Sequence, residues 1–143
     1  MARRTAEAQW DGTLKDGKGR FSTESGEVSG LYTFSTRFED QEGSNPEELI
    51  GAALAGCFSM QFAADLDRAG HPADSVRTTA SVHLDQAKGG GFAITGIDLD
   101  AEVRGSGIGA AELDELAEGS KTKCPIGGAL ASVPIDLRAR QAA

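Results

Sequence analysis

The sixteen residues from Leu49 to Ala64 contain no charged side chain, and they follow the clearest helix start in the chain. Asn45 is placed to cap, Pro46 takes the first helical position, where its missing N–H costs nothing, and Glu47 and Glu48 put negative charge at the positive end of the helix dipole. Glu48, three residues after the cap, has capping-box spacing. Apolar or small residues occupy nearly every helical face, which predicts a core helix buried all round. A bilayer span needs about 20 such residues, and Glu48 and Asp65 close this run before that. Gly51, Ala52, Ala53, Ala55 and Gly56 have so little bulk that another backbone can pack close. Gly70 is the expected C-terminal stop.

The flanking sequence predicts sheets around this helix. From Trp10 to Phe38, short extended runs alternate with glycine turns at Gly17-Lys18-Gly19 and Ser25-Gly26, the pattern of an antiparallel meander. Val76, Thr78, Ala80, Val82 and Leu84 alternate with polar neighbours, as do Ile97, Leu99, Ala101 and Val103, with Gly89-Gly90-Gly91 as the turn between them. The alternation from Phe92 and Ile94 changes phase at Gly96, where a bulge would restore the buried face. A second helix is expected over Ala110 to Lys121, acidic at its start and basic at its end. Pro125 restarts a short helix over Ile126 to Ala131, and Val133, Ile135 and Leu137 form a closing strand. With no repeat or low-complexity linker, 143 residues read as one α+β domain spanning 1–143.

Charge narrows the partners. With 22 acidic against 14 basic residues the net charge is −8, which disfavours a phosphate-tracking surface, so nucleic acid is not an expected partner. Arg3 and Arg4 are followed by no apolar segment, so no export signal is read and a cytoplasmic protein is expected. His71 and His83 have no zinc-ligand spacing, and Gly89-Gly90-Gly91 precedes no helix. Neither metal nor nucleotide is expected, and no other cofactor.

The two cysteines occupy unlike settings, Cys57 inside the apolar helix and Cys124 directly before Pro125. Buried cysteines are often small hydrophobes, but a lone pair in a protein of the reducing cytosol also suits transient redox chemistry, one sulfur attacking and the other resolving. Cys124 falls at the start of the short helix, where free backbone N–H groups favour a thiolate. Desolvation opposes ionisation of Cys57, which therefore needs a cationic neighbour. Arg37, at the end of an expected strand from Leu31 to Phe38, is the preferred candidate, and Arg20 the alternative.

Thr23-Glu24-Ser25-Gly26, Ser35-Thr36-Arg37-Phe38-Glu39, and Asn45-Pro46-Glu47-Glu48-Leu49-Ile50-Gly51-Ala52-Ala53 running into Cys57-Phe58-Ser59-Met60 resemble the osmotically inducible protein C family. Gly91-Phe92-Ala93-Ile94-Thr95 and Cys124-Pro125-Ile126 extend the likeness over nearly the whole chain. The resemblance implies an intertwined homodimer with antiparallel sheets around the central helix, and a peroxiredoxin-like thiol peroxidase acting on organic hydroperoxides. It implies that Cys57 is peroxidatic, Cys124 resolving, Arg37 the activating cation and Glu47 the carboxylate that holds it. In the related organic hydroperoxide resistance proteins the arginine comes from an earlier loop, which keeps Arg20 in view. Gly127 stands where relatives often carry serine.

The implied chemistry is attack of a Cys57 thiolate on a peroxide oxygen, loss of the alcohol, and condensation of the sulfenic acid with Cys124. An external dithiol must then reduce the disulfide. By the resemblance, a lipoylated protein is the donor. Phe38, Phe58, Met60 and Phe62 are candidates for an apolar substrate approach, with core packing as the competing reading. Two other functions fit the same residues: a redox-responsive binding module, and a non-catalytic dimer that keeps the fold. No membrane partner is expected.

If Glu47 and Cys57 share one unbroken helix, ten residues at roughly 1.5 Å each separate them by about 15 Å along its axis. Glu47 then cannot hold an arginine beside its own Cys57. Either the helix breaks near Gly51 or Gly56, or Glu47 serves the partner chain, the favoured expectation.

Overall fold

The computed structural model describes residues 1–142. It divides into two compact units, Met1–Glu48 and Leu49–Ala143. The first carries strands β1 (Ala6–Asp11), β2 (Lys18–Thr23) and β3 (Ser29–Tyr32) in an antiparallel meander, followed by a short helix α1 (Phe34–Phe38). Gly19 lies where a side chain cannot go: a Cβ there would stand 2.6 Å from the Tyr32 ring and 2.7 Å from Trp10. The strand expected to run on to Phe38 stops at Tyr32. Thr33 ends it by capping α1, its hydroxyl accepting from the Thr36 N–H at 3.2 Å while its own N–H donates to Thr36 Oγ1 at 2.8 Å.

Helix α2 (Pro46–Arg68) begins as the sequence predicts, with the Glu48 N–H donating to Asn45 Oδ1 at 2.8 Å. Glu48 does not close a capping box; its carboxylate accepts from Ser44 Oγ at 2.6 Å instead. The helix has no break at Gly51 or Gly56. It ends where Gly70 adopts φ +83° and the His71 N–H returns to the Leu66 carbonyl, a Schellman closure. At 23 residues, α2 is longer than its uncharged run and, by length and composition alone, long and apolar enough to cross a membrane.

In the second unit β4 (Ser75–Gln86) and β5 (Phe92–Arg104) form the long hairpin, joined by Gly89, Gly90 and Gly91, all at positive φ. His83 pairs with Gly96 and Leu84 with Ile94, so Thr95 is the extra residue of a bulge at the expected change of phase. Helices α3 (Ala110–Lys123) and α4 (Pro125–Ala129) lead to β6 (Ile135–Gln141). β6 pairs with β5 in parallel, so this sheet is mixed rather than antiparallel. The reason is the connection: a helical crossover returns the chain to the end from which β5 started.

Leu54, Phe58, Phe62 and Leu66 form an i, i+4 stripe along α2 and pack with Ile97, Leu99, Ala101 and Val103 of β5 and Leu113 and Ala117 of α3. Ser59 and Thr78 share a hydroxyl hydrogen bond of 2.6 Å that ties α2 to β4. The helix is not buried all round within the chain. Ala52, Ala53, Gly56, Met60 and Ala63 are exposed, Met60 at 80%.

Candidate functional site

Each of the two units contributes one charged or nucleophilic constellation. In the first, Arg37 projects from α1 and Glu47 from the first turn of α2. Arg37 Nε donates to Glu47 Oε1 at 2.9 Å and its Nη2 to Oε2 at 3.1 Å, a bidentate fork that fixes the guanidinium plane. Glu47 is only 7% exposed, whereas Arg37 retains about a third of its surface. The pair is therefore an anchor for the arginine rather than a large source of stability, since solvent screens the exposed partner. The guanidinium also stacks over the Phe38 ring at 5.0 Å. Beside it lies a cavity of about 220 Å³ walled by Trp10, Leu14, Tyr32, Phe34 and Phe38. Arg20 is elsewhere in this unit, exposed on β2 opposite Gln9 and Leu31.

The second unit holds the sulfurs. Both are free thiols, Cys57 half-buried on α2 and Cys124 fully buried at the junction of α3 and α4. The two thiols are neighbours, close enough for Cys57 to act on the ionisation of Cys124. Cys124 is the N-cap of α4, and the Gly127 N–H donates to its Sγ at 3.4 Å. That donor favours a thiolate, as the sequence suggests, but it is outweighed. Burial pushes the Cys124 thiol up first, the neighbouring Cys57 adds to it, and the Gly127 and Ile126 N–H groups recover only part. Cys124 is thus a protonated thiol at neutral pH.

Of the four residues expected to form an apolar approach, the three on α2 divide between core and surface. Phe58 and Phe62 are core residues with no exposed surface, their rings 5.4 Å apart. Met60 points to the exposed side of α2, and of the four Phe38 lines the cavity beside Arg37. Trp10, Leu14, Tyr32 and Phe34, which line it too, escape a reading that looks for aromatics near the cysteine. Their signal was local: the Phe34–Phe38 spacing of one helical turn, with rings 5.1 Å apart.

A buried carboxylate also went unread. Asp65, 3% exposed on α2, accepts hydrogen bonds from Gln61, Arg68, Ser120 and Lys123. Burial alone would raise its carboxyl, but the donors from Ser120, Gln61 and Lys123 together hold it below the ordinary value. The histidines face single carboxylates, His71 toward Glu112 at 3.8 Å and His83 toward Asp98 at 2.6 Å. Among the described residues, no group of three or more His, Cys, Asp or Glu side chains is placed to hold a metal ion.

Two neighbouring free thiols, one half-buried and one sealed, suit thiol-dependent redox chemistry. Residues 39–138 match the family model described as OsmC-like protein. The chain is 46% identical over 134 residues to the peroxiredoxin OsmC of Escherichia coli K12, covering 92% of this chain and 93% of that protein, and equally similar to the peroxiredoxin OsmC of Shigella flexneri. Among solved structures it is similar in fold to the organic hydroperoxide resistance protein OhrB of Bacillus subtilis, at TM-score 0.74 and 22% identity over 95% of this chain and 98% of that one. An organic hydroperoxide resistance protein from Elizabethkingia anophelis gives TM-score 0.76 and 21% identity over 99% of both chains. The chain belongs to the OsmC family and is a peroxiredoxin-like thiol peroxidase.

Proposed function

We propose that this peroxidase reduces organic hydroperoxides to alcohols through a Cys57 sulfenic acid and a Cys57–Cys124 disulfide, as a cytoplasmic antioxidant in stress defence. The observation that carries the reading is a half-buried Cys57 beside a fully buried Cys124 whose ionisation it influences. In the first step the Cys57 sulfur takes the terminal peroxide oxygen, the O–O bond breaks, and the alkoxide leaves as the alcohol after gaining a proton. In the second the Cys124 sulfur attacks, the S–O bond breaks, and water carries off the hydroxide with the thiol proton. An external dithiol, a lipoylated protein in this proposal, reduces the disulfide and becomes oxidised itself.

Arg37 is proposed as the cation that favours the Cys57 thiolate and steers the peroxide, with Glu47 holding its plane by the bidentate fork. The aromatic cavity beside Arg37 supports an alkyl substrate over hydrogen peroxide. Because α2 is unbroken, the rise from Glu47 to Cys57 is about 15 Å, and we assign each Arg37–Glu47 pair to the thiols of a second copy. The exposed small face of α2 at Ala52, Gly56 and Ala63 supports a homodimer in which that face packs on its mate.

Turnover of cumene hydroperoxide and hydrogen peroxide, with dihydrolipoamide and then thioredoxin as donors, tests the proposal. Preference for cumene hydroperoxide with dihydrolipoamide is expected. Formation of the disulfide without steady consumption of peroxide by any dithiol would refute the enzyme mechanism and favour a redox-responsive binding module.

A further inference from the structure

Asp65 is a buried carboxylate on a helix whose neighbours Phe62 and Leu66 are core residues, as are Leu113 and Ala117 of α3. Burying a carboxylate is costly, and a well-packed apolar residue would serve stability as well or better. Its partners indicate what it does instead. Two of them lie on its own helix: Gln61 Nε2 at 3.2 and 3.3 Å, and Arg68 Nη1 at 3.0 Å. The other two lie on the last turn of α3: the fully buried Ser120 Oγ donates to Oδ2 at 2.7 Å, and Lys123 Nζ reaches Oδ1 at 3.3 Å. The Ser120 hydroxyl has one hydrogen to share between Asp65 and the Leu116 carbonyl 2.9 Å away, and the ionised acceptor is the stronger.

The turn that Asp65 grips is the one that ends on the resolving thiol. The Cys124 N–H donates to the Ser120 carbonyl at 3.0 Å, and Lys123 is its chain neighbour. Eight residues separate Cys57 from Asp65 on α2, about two turns, so one helix carries both the attacking sulfur and the tether for its partner. A disulfide tolerates Cα separations of only about 4.4–6.8 Å. We propose that Asp65 is a positioning residue for the resolving step: through Ser120 and Lys123 it holds the end of α3 so that Cys124 stays within bonding distance of the Cys57 sulfenic acid. This rests on the functional reading above. In that step the S–O bond of the sulfenic acid breaks, the S–S bond forms, and the Cys124 proton leaves in water.

The tether acts on the second step and not the first, which separates it from a merely structural role. Ser120→Ala removes the buried one of the two α3 donors with little change of volume and leaves Asp65 its contacts from Gln61, Arg68 and Lys123. Asp65→Asn removes the charge. The full-length protein, reduced and treated with one equivalent of cumene hydroperoxide, is followed in two channels: loss of peroxide, and appearance of the Cys57–Cys124 disulfide by mass after alkylation. In both variants the first channel is expected to match the wild type within about twofold. The second is expected to slow about tenfold, from loss of a hydrogen bond to a charged group, with overoxidised Cys57 appearing at correspondingly lower peroxide. Disulfide formation at the wild-type rate in Ser120→Ala overturns the proposal, and so does equal slowing of both channels. If the wild type itself forms no Cys57–Cys124 disulfide, the functional reading fails first, a result distinct from either.

Discussion

Gly127 gives a sharp test of how Cys124 is held. A Cβ added there would lie 2.4 Å from the Lys121 carbonyl oxygen, while Cβ atoms in ordinary contact keep at least 3.4 Å. The clash is with backbone, not with the end of a flexible side chain, so α4 or the last turn of α3 must shift by about 1 Å to relieve it. The first turn of α4 supplies the Gly127 N–H that reaches Cys124 Sγ at 3.4 Å. Moving it by that amount breaks the contact and displaces the sulfur. Overpacking of this kind costs about 1–3 kcal/mol, and a misplacement of about 1 Å at a reacting atom can cost about 100-fold in rate. Gly128→Ala is the control: a Cβ there meets nothing within 4 Å, and removing a helical glycine adds up to about 1 kcal/mol of stability. Gly127→Ala should therefore lower Tm and slow disulfide formation after one equivalent of hydroperoxide by ten- to a hundredfold, on the order set by that misplacement, while Gly128→Ala does neither. Equal stability and equal disulfide rates in the two variants would refute the packing argument.

Cys57→Ser is expected to abolish peroxide consumption, while Cys124→Ser should consume one equivalent and then accumulate overoxidised Cys57, both read by mass spectrometry. Arg37→Met should slow the peroxide reaction at neutral pH by at least about tenfold, with Arg20→Met near the wild type; a larger loss in the Arg20 variant would reverse the assignment. Because the Asp65 carboxyl is held below its ordinary value, its stabilising contribution is fully present above the unfolded value of about 3.9 and is lost as pH falls through the lower folded value. The stability gap between wild type and Asp65→Asn should accordingly be flat near neutrality and narrow in strong acid, as measured by denaturant unfolding at stepped pH. Mixing Cys57→Ser with Glu47→Ala subunits should restore activity if the carboxylate acts across the dimer, since one site of each mixed pair is then intact; no recovery, with mixed dimers verified by native mass, would mean that it acts within its own chain.

What was legible in the sequence was written locally. Asn45 and Pro46 mark the start of α2 because a cap and a missing donor act within four residues. The bulge at Thr95 shows as a change of phase because a strand has period 2. α1 escaped notice for a related reason: its capping box closes through Thr36 rather than Glu or Gln, and Leu31 and Tyr32 before it still read as strand. The direction of β6 depends on where α3 and α4 deliver the chain, which no window of its own residues contains. Glu47 and Arg37 were found together only through resemblance, since nothing in a ten-residue spacing announces a bidentate fork. Asp65 carried a usable signal: positions 54, 58, 61 and 65 share one helical face, and a carboxylate on a face that also carries Leu54 and Phe58 requires donors from a packed neighbour.

In the proposed mechanism, burial divides the labour between the two sulfurs. A peroxide must reach its target, and of the two thiols Cys57 retains exposed surface while Cys124 has none. A sealed thiol whose pKa is raised by burial and by its neighbour stays protonated while Cys57 reacts, so it does not compete for the peroxide. In the proposed resolving step the same proton would be needed, because hydroxide leaves a sulfenic acid far more readily as water. The Gly127 N–H moderates this arrangement by stabilising the charge that develops on Cys124 as its proton departs. A fully exposed Cys124 would ionise more easily, but it would lose that separation of roles and would itself be open to oxidation. On the proposed reading, the closeness of α3 to α2, held by Ser120 and Lys123 on Asp65, is the structural condition for a resolving thiol that is inert toward substrate and yet near enough to finish the reaction.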